Sequence, residues 1–586
     1  MKSIIEVLVD KFCLAVQGAF PEEDIESLIS FVEVTQSTQE KFGHYQCNAA
    51  MKLAKLLKTN PRAIADALVE KVDRQSDGMI QSLEVAGPGF INIVLKKEFL
   101  AKRVEDVLTH SHLGIDLPVH ARRIVLDFSS PNIAKEMHVG HLRSTIIGDS
   151  LARVFEFLGH DVLRLNHVGD WGTQFGMLIA YMKEEASEVL SGEKPTDLGH
   201  LVSWYKAAKW RFDRDLDFQH RSKKEVVALQ GGEVEALQAW EEICRVSEEA
   251  YQEIYDLLDV KLEIRGESFY NPMLADVVAD LEAKGLVTIS SGAKCIFLEG
   301  FENREGEPLP LIVQKSDGGY NYVTTDMAAL RHRVEEERAD RIIYVTDAGQ
   351  ATHFKMVFTA AQKAGYFDPN KVRIDHVPFG LVLGPDGKKF KTRSGETEKL
   401  IDLLKAAVSR AYEILQERQL DMSDDEMKVL AQALGIGAIK YADLSCHRSG
   451  DYVFSYDRML RFEGNTAAFL MYSYVRVAGI KRKVGVDVDD MIACGESVII
   501  EHPSEEALAL HILQFGEALA LVANELLPNR LTDYLYELAQ KFNAFFRDCR
   551  VEGSDRQASR LMLCEATACI MGKGLDLLGI QTVIRM

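Results

Sequence analysis

An α/β architecture built on a parallel sheet, with an α+β region before it and a helical region after it, is what this sequence predicts. Three observations predict it. Residues 124–166 read as a βαβ unit. About 250 residues then separate its strand-to-helix junction from a lysine-rich loop at 388–393. That is too long for a plain crossover, so an insertion divides the two halves of the sheet. Residues 456–586 carry mostly helical periodicity.

Taken in chain order, residues 1–118 form a small α+β unit. Residues 1–10 are apolar but interrupted by Glu6 and Asp10, which predicts an amphipathic helix and not a signal peptide. Residues 52–57 lie in a helix, Asn60-Pro61 opens the next, and 90–95 is a strand after a Gly87-Pro88-Gly89 turn. Residues 119–455 hold the parallel sheet. Its first strand, 124–128, is a short apolar run. A helix from about 138 to 158 follows, with Leu142, Ile146, Leu151, Val154, Phe155 and Leu158 on one face and Gly159 to stop it. The second strand is 161–166. Residues 181–259, charged and carrying Trp204, Trp210 and Trp240, read as helices in or beside the insertion, and the sheet resumes near 341–347. In 465–476, Phe469 and Val475 are expected in a core stripe.

A chain of 586 residues exceeds one hydrophobic core, so two to four domains are expected. A net charge of −21 argues against a general nucleic-acid binder, though not against a protein that reads one RNA through local basic patches. Lys481-Arg482-Lys483 is as readily a solvated surface as such a patch. No run reads as long and apolar enough to span a bilayer. Nine cysteines include no C-x-x-C pair and no His/Cys set at zinc spacing, so a reduced cytoplasmic protein without structural zinc is expected.

The chemistry concentrates where strand 124–128 meets its helix. A helix N-terminus offers unpaired N–H groups and a positive dipole end to phosphate. His138 and His141 are three apart, on one side of the first turn, and both can donate to phosphate oxygens whose charge grows during attack at phosphorus. Gly140 between them lets a flat group such as adenine approach the backbone. The loop Gly384-Pro385-Asp386-Gly387 with Lys388, Lys389, Lys391 and Arg393 carries cations of the kind a leaving pyrophosphate needs, although taken alone it reads as a basic surface turn.

His138-Val139-Gly140-His141 resembles the first signature of class I aminoacyl-tRNA synthetases. The longer string, Ser130-Pro131-Asn132, Ala134-Lys135, His138 and His141-Leu142-Arg143-Ser144-Thr145, resembles the arginyl-tRNA synthetase family in particular. The resemblance continues through residues 166–176, Gly266-Glu267-Ser268, 322–326, Gly349-Gln350 and 390–395, in that family's order. The lysine loop departs from the family's usual pattern, which leaves open which of its cations acts.

The resemblance implies a Rossmann-type catalytic domain at 119–455, an N-terminal accessory domain at 1–118 that contacts tRNA, and an anticodon-binding helical domain at 456–586. It implies arginine, ATP with Mg²⁺ and tRNA(Arg) as partners, no membrane, and a monomer. Lys135, His138, Gly140, His141, Lys389, Lys391 and Arg393 are the implied catalytic set, with Pro131, His138, Gly140, His141 and Lys391 on ATP. Ser130, Asn132, His141, Glu267, Tyr322, Asp326 and Gln350 are the implied arginine-binding set, with Asn132 and Gln350 at its amino and carboxylate ends and Glu267, Tyr322 and Asp326 around its side chain. A guanidinium is a planar fork of donors, so carboxylates suit it. Tyr322 and Asp326, four apart, share a face if helical. Phe42, Asn48, Tyr472 and Arg476 are the implied tRNA contacts, the last two by stacking on splayed bases. No protein metal ligand is expected.

Three alternatives remain at this point. A synthetase for another amino acid is opposed by the acidic pocket positions. A smaller H-x-G-H nucleotidyltransferase lacks the flanking regions. A non-catalytic RNA-binding relative is opposed by the intact His138, His141, Lys391 and Asp326.

Overall fold

The computed structural model describes the chain except for residues 1, 304, 389, 391–397, 420 and 486–487, and except for the side chains of 40, 478, 481 and 489. Two compact units result: Met1–Leu117 with Phe462–Asp576 and Thr582–Met586, and Pro118–Arg461 with Leu577–Gln581.

In the first unit, helix Ile4–Ala19 starts at a capping box, Ser3 Oγ accepting from Glu6 N and the Glu6 carboxylate accepting from Ser3 N. Strands β1 (Val34–Gln36), β2 (Tyr45–Cys47), β3 (Ile80–Ala86) and β4 (Phe90–Leu95) form an antiparallel sheet in the order β1-β2-β4-β3. Gly87 and Gly89, both at positive φ, turn the β3–β4 hairpin as expected. Asn60 caps helix Pro61–Lys71 with proline in its first turn.

The rest of this unit is helical: Ala467–Val484, Val488–Ala493, Pro503–Leu513, Phe515–Glu525, Asn529–Asp548 and Gln557–Leu577. One expectation is corrected here. Residues Pro503–Glu525 are long and apolar enough to cross a bilayer by composition. They form two helices broken at Gln514, with Leu508, Ile512, Leu519 and Val522 packed inside the unit. Buried Glu517 accepts hydrogen bonds from Tyr45, Gln36 and the Ile5 amide, so this pair also binds the N-terminal sheet.

The second unit is organised by a fully parallel sheet. Its strands are β5 (Arg123–Asp127), β6 (Asp161–Asn166), β7 (Glu263–Ile264), β11 (Arg341–Asp347) and β12 (Arg373–Phe379), in the order β12-β11-β5-β6-β7. The order reverses direction between β5 and β11, and the crevice at the carboxyl ends there is the ligand position in such sheets. β5 reads Ile124-Val125-Leu126, all buried. The signature helix, Val139–Phe157, buries Leu142, Ile146, Leu151, Val154 and Phe155.

Helices Thr173–Glu185, Leu198–Phe212, Leu216–Gln230 and Val234–Leu257 occupy the expected helical insertion. The insertion also holds a sheet that the sequence reading missed: β8 (Thr288–Ser290), β9 (Ala293–Glu302) and β10 (Pro308–Gln314), antiparallel in the order β10-β9-β8. Helices Tyr322–Glu335 and Ala351–Lys363 flank β11. Residues Leu577–Gln581 belong to this unit. There the fully buried Lys440 amine donates to the carbonyls of Leu258 and Gly579, and burial pulls its pKa down to about 8.

Candidate active site

The loop from Ser129 to Asn132 leaves β5 under strain. Ser129, Ser130 and Ala134 all have positive φ, which costs non-glycine residues of order 1–3 kcal/mol each. Surrounding side chains hold these conformations. Ser129 N donates to Ser144 Oγ, which itself donates to the Val345 carbonyl on β11. Thr145 Oγ1 donates to Ser129 Oγ. Ser130 N donates to Asn166 Oδ1 and Ser130 Oγ to Asp127 Oδ1. Pro131 and Ile133 pair with Gly169 through their backbones. The motif residues after His141 are thus the struts of this loop.

A second support was not anticipated. The helix Val234–Leu257 points Ser247, Tyr251 and Tyr255, spaced four apart, at the same loop. Ser247 Oγ accepts from Ala134 N. Tyr251 Oη donates to the carbonyls of Asn132 and Lys135. Tyr255 Oη meets Ser129 Oγ and accepts from Asn166 Nδ2. Tyr251→Phe should therefore unclamp the loop: kcat of adenylate formation falls about tenfold, the weight of a buried hydrogen bond with its penalty. Steady-state kinetics at saturating substrate checks this, and an unchanged kcat removes the clamp.

The helix start carries an unusual cap. His138 is the N-cap residue, and its Nδ1 accepts from Gly140 N at 3.0 Å. His141 Nδ1 accepts from His138 N at 3.0 Å, and the two rings lie 4.1 Å apart. Because each Nδ1 accepts, each ring carries its hydrogen on Nε2. Burial, then the nearby His138 and Lys135, pulls His141 down to about 3. It is a neutral Nε2–H donor at physiological pH. Gly140 also has a reason within the chain: a Cβ there would sit 2.9 Å from the His138 ring that caps the helix.

Arg143, next in the string, is fully buried against Asp443, Nε to Oδ2 3.0 Å. Its Nη1 donates to the Gly450 carbonyl, and its guanidinium lies 5.2 Å from the Tyr452 ring. It ties the signature helix to the pair of short parallel strands β13 (Val382–Leu383) and β14 (Tyr452–Val453) that bracket the lysine loop. Lys389, Lys391 and Arg393 lie outside the described residues. Just after them, Lys399 pairs with Glu136 at 2.7 Å, and Leu400 N donates to the Met137 carbonyl. Lys135 is exposed, its amine 5.8 Å from the Tyr205 ring.

Glu267 follows Gly266 in a 3₁₀ turn that Asp170 holds by accepting from Ser268 N and Oγ. Burial first, then the charges of Asp326 and Asp170, push Glu267 up to about 8. Tyr322 and Asp326 do sit one turn apart on a helix, Tyr322–Glu335. Asp326 Oδ2 is bonded to His353 Nε2 at 2.5 Å. Gln350 closes the turn after β11 and donates to Asp347. Asn132 is exposed at the loop edge. Beneath, buried Arg333 pairs with Asp127 at 2.7 Å and meets His167. Sequence reading assigned no role to Arg333, His167, Asp127 or His353, which reach the site from separate elements.

In the other unit, Tyr472 and Arg476 line an open hollow of about 850 Å³ with Phe469, Asn543, Phe546 and Arg547. Arg476 donates to Asn543 Oδ1 and stacks 4.2 Å from the Phe546 ring. Phe469 is a correction: it is partly exposed in this hollow and not in the core, whereas Val475 is buried. Phe42 lies under Lys41, 4.8 Å away. Asn48 is the N-cap residue of helix Ala49–Leu57 without a side-chain cap bond, and among the described residues its buried Oδ1 has no hydrogen-bond partner. Of the basic trio, Lys483 pairs with Glu552 and Arg482 donates to the Ile584 carbonyl. Among the described residues, no group of three or more His, Cys, Asp or Glu is placed to hold a metal ion.

A parallel sheet with this histidine-capped helix after β5 and an insertion before β11 defines the catalytic fold of class I aminoacyl-tRNA synthetases. Known families match throughout: tRNA synthetases class I (R), catalytic domain, over residues 103–456; DALR anticodon binding domain over 470–586; and arginyl tRNA synthetase N terminal domain over 4–95. The chain belongs to the arginyl-tRNA synthetase, or arginine–tRNA ligase, family. It is 62% identical over 586 residues to the arginine–tRNA ligase of Protochlamydia amoebophila, covering 100% of both chains. It is 53% identical to that of Chlamydia caviae, covering 98% of this chain and 97% of that one. The arginyl-tRNA synthetase structure from Plasmodium falciparum superposes with a TM-score of 0.86 at 34% identity, covering 100% of both. That from Thermus thermophilus shares the fold, TM-score 0.80 at 23% identity.

Proposed function

We infer that the chain is an arginine–tRNA ligase. The arginine carboxylate attacks the α-phosphorus of ATP, giving arginyl-adenylate and releasing pyrophosphate. A ribose hydroxyl at the 3′ end of tRNA(Arg), the 2′-hydroxyl by class, then attacks the arginyl carbonyl and AMP leaves. The observation that carries this reading is the pair of histidines at the start of the helix after β5, each Nδ1 accepting a backbone hydrogen bond so that Nε2 holds the hydrogen. His138 and His141 stabilise charge growing on the phosphate, and no covalent enzyme intermediate is needed. Mg²⁺ enters with the nucleotide as part of the substrate and neutralises phosphate charge.

Glu267, Tyr322 and Asp326 take the guanidinium; Asn132 and Gln350 take the amino and carboxylate ends, and Ser130 and His141 complete the arginine site. Pro131, Gly140 and Lys391 join the histidines on ATP, and Lys135, Lys389 and Arg393 add positive charge. Phe42 and Asn48 meet the tRNA corner, and Tyr472 and Arg476 its anticodon. Residues 1–118, 119–455 and 456–586 act as accessory, catalytic and anticodon-binding domains of a cytoplasmic monomer. Among the described residues no disulfide joins any of the nine cysteines, which suits a reducing compartment.

Pyrophosphate exchange into ATP with each standard amino acid, with and without tRNA, tests the reading. Exchange with arginine alone, and only when tRNA is added, is expected. Exchange with another amino acid overturns the pocket.

Glu267 predicts a proton effect. With its carboxyl near 8 it is protonated at pH 7, and an entering guanidinium favours the ionised form. Arginine binding then releases a proton, so affinity rises with pH up to about 8 and levels above it. In the free enzyme the same raised value costs stability as pH climbs from the unfolded carboxyl range toward 8. Calorimetry in buffers of different ionisation enthalpy should find close to one proton released per arginine at pH 7, and none in Glu267→Gln. Equal values in both proteins remove Glu267 from the pocket.

A further inference from the structure

We propose that His353 is a positioning residue that sets the selectivity of the guanidinium pocket, an inference that rests on the assignment of Tyr322 and Asp326 to that pocket. His353 touches both of them. Its Nε2 lies 2.5 Å from Asp326 Oδ2, and since a carboxylate only accepts, the imidazole is the donor. The edge of its ring meets Tyr322, centroids 5.0 Å apart at 65°. Tyr322 is otherwise 62% exposed.

The position of His353 in the chain gives this contact its meaning. It lies in the first turn of helix Ala351–Lys363, three residues after Gln350, on the turn that leaves β11. Tyr322 and Asp326 belong to a different helix. One side chain therefore fixes the groups that read the guanidinium to the backbone that carries Gln350, expected at the other end of the substrate. A neighbouring core supports the ring's own element: Phe354 stacks on His376, 5.0 Å away, and His376 Nε2 bonds Thr346 Oγ1.

With one oxygen of Asp326 engaged by His353, the carboxylate cannot rotate about its last bond without losing that hydrogen bond. Its plane is set before any ligand arrives. A set plane favours a planar fork of donors, and it favours much less an ammonium, which could follow a rotating carboxylate. The selectivity of arginine over lysine is thus expected to pass through His353.

The test compares the full-length enzyme with His353→Phe, which keeps the ring against Tyr322 but loses the donor, and with His353→Gln, which keeps a donor near the Nε2 position. In tRNA-dependent pyrophosphate exchange, His353→Phe should raise the arginine KM about 10- to 100-fold, the span of a charge-assisted hydrogen bond. The KM for ATP and the melting temperature should not move. The preference for arginine over lysine should fall by a similar factor. His353→Gln should recover most of both. An unchanged arginine KM and preference in His353→Phe, with wild-type arginine exchange intact, overturns this inference alone. Loss of kcat and melting temperature together, with no recovery in His353→Gln, also overturns it by making the role structural. Wild-type exchange with a different amino acid overturns the pocket assignment itself.

Discussion

Replacing His141 by alanine should lower kcat for arginine-dependent pyrophosphate exchange by about 10²–10³-fold, the usual loss when one preorganised donor to a developing charge is removed. The arginine KM should change little, because the interaction grows only in the transition state. The direction follows from the cap. His141 Nδ1 is occupied by the His138 amide, so Nε2 holds the hydrogen and the ring cannot turn over without breaking the helix start. Its pKa near 3 keeps it neutral, so its protonation should cause no loss of kcat between pH 5 and 8. Part of the effect of alanine is loss of the cap, worth about 1 kcal/mol of stability. A melting curve separates that part from chemistry. An unchanged kcat would sink the role of this residue.

Arg143→Ala should destabilise the catalytic unit by about 3–5 kcal/mol, because it strands Asp443 as an unpaired buried charge. Burial already pushes the Asp443 carboxyl upward, and the arginine opposes that push. A midpoint shift in urea unfolding measures the loss. Replacing both partners together, Arg143→Met with Asp443→Leu, should recover most of it, since no charge is then left in the interior. If the double variant is as unstable as the single, the Gly450 and Tyr452 contacts of Arg143 matter more than the ion pair.

The parts of this site that could be read in the sequence are those whose cause is local. His138, Gly140 and His141 lie within one helical turn after a buried strand, so spacing alone brings the two rings together. Tyr322 and Asp326 share a face for the same reason. The βαβ unit was legible because its strands are continuous apolar runs and its helix is amphipathic. What stayed hidden acts across long separations. Tyr251 and Tyr255 look like core residues of an insertion helix, and nothing near them in the chain marks the strained loop they hold. His353 and Arg333 find their carboxylates only once the sheet is wound.

Two misreadings have simple physical causes. The small sheet β8–β10 has exposed outer faces and a register shift between Pro308 and Pro310, so its alternation is broken at sequence level. Phe469 falls on a helical stripe with Leu470 and Val475, yet it lies at the edge of that stripe and opens into the hollow beside Arg476.

The buried amine of Lys440 also has a consequence in time. One of its two carbonyl partners, Gly579, lies 139 residues further along the chain. At about 5–20 residues per second, a ribosome needs roughly 7–28 seconds to make that stretch. Through this interval the catalytic unit has the amine without one of the carbonyls that satisfies it. The nascent sheet can assemble, but the far side of its signature helix closes only when residues 577–581 arrive. Synthesis thereby delays a finished catalytic unit until the helices of residues 467–577 have already been made.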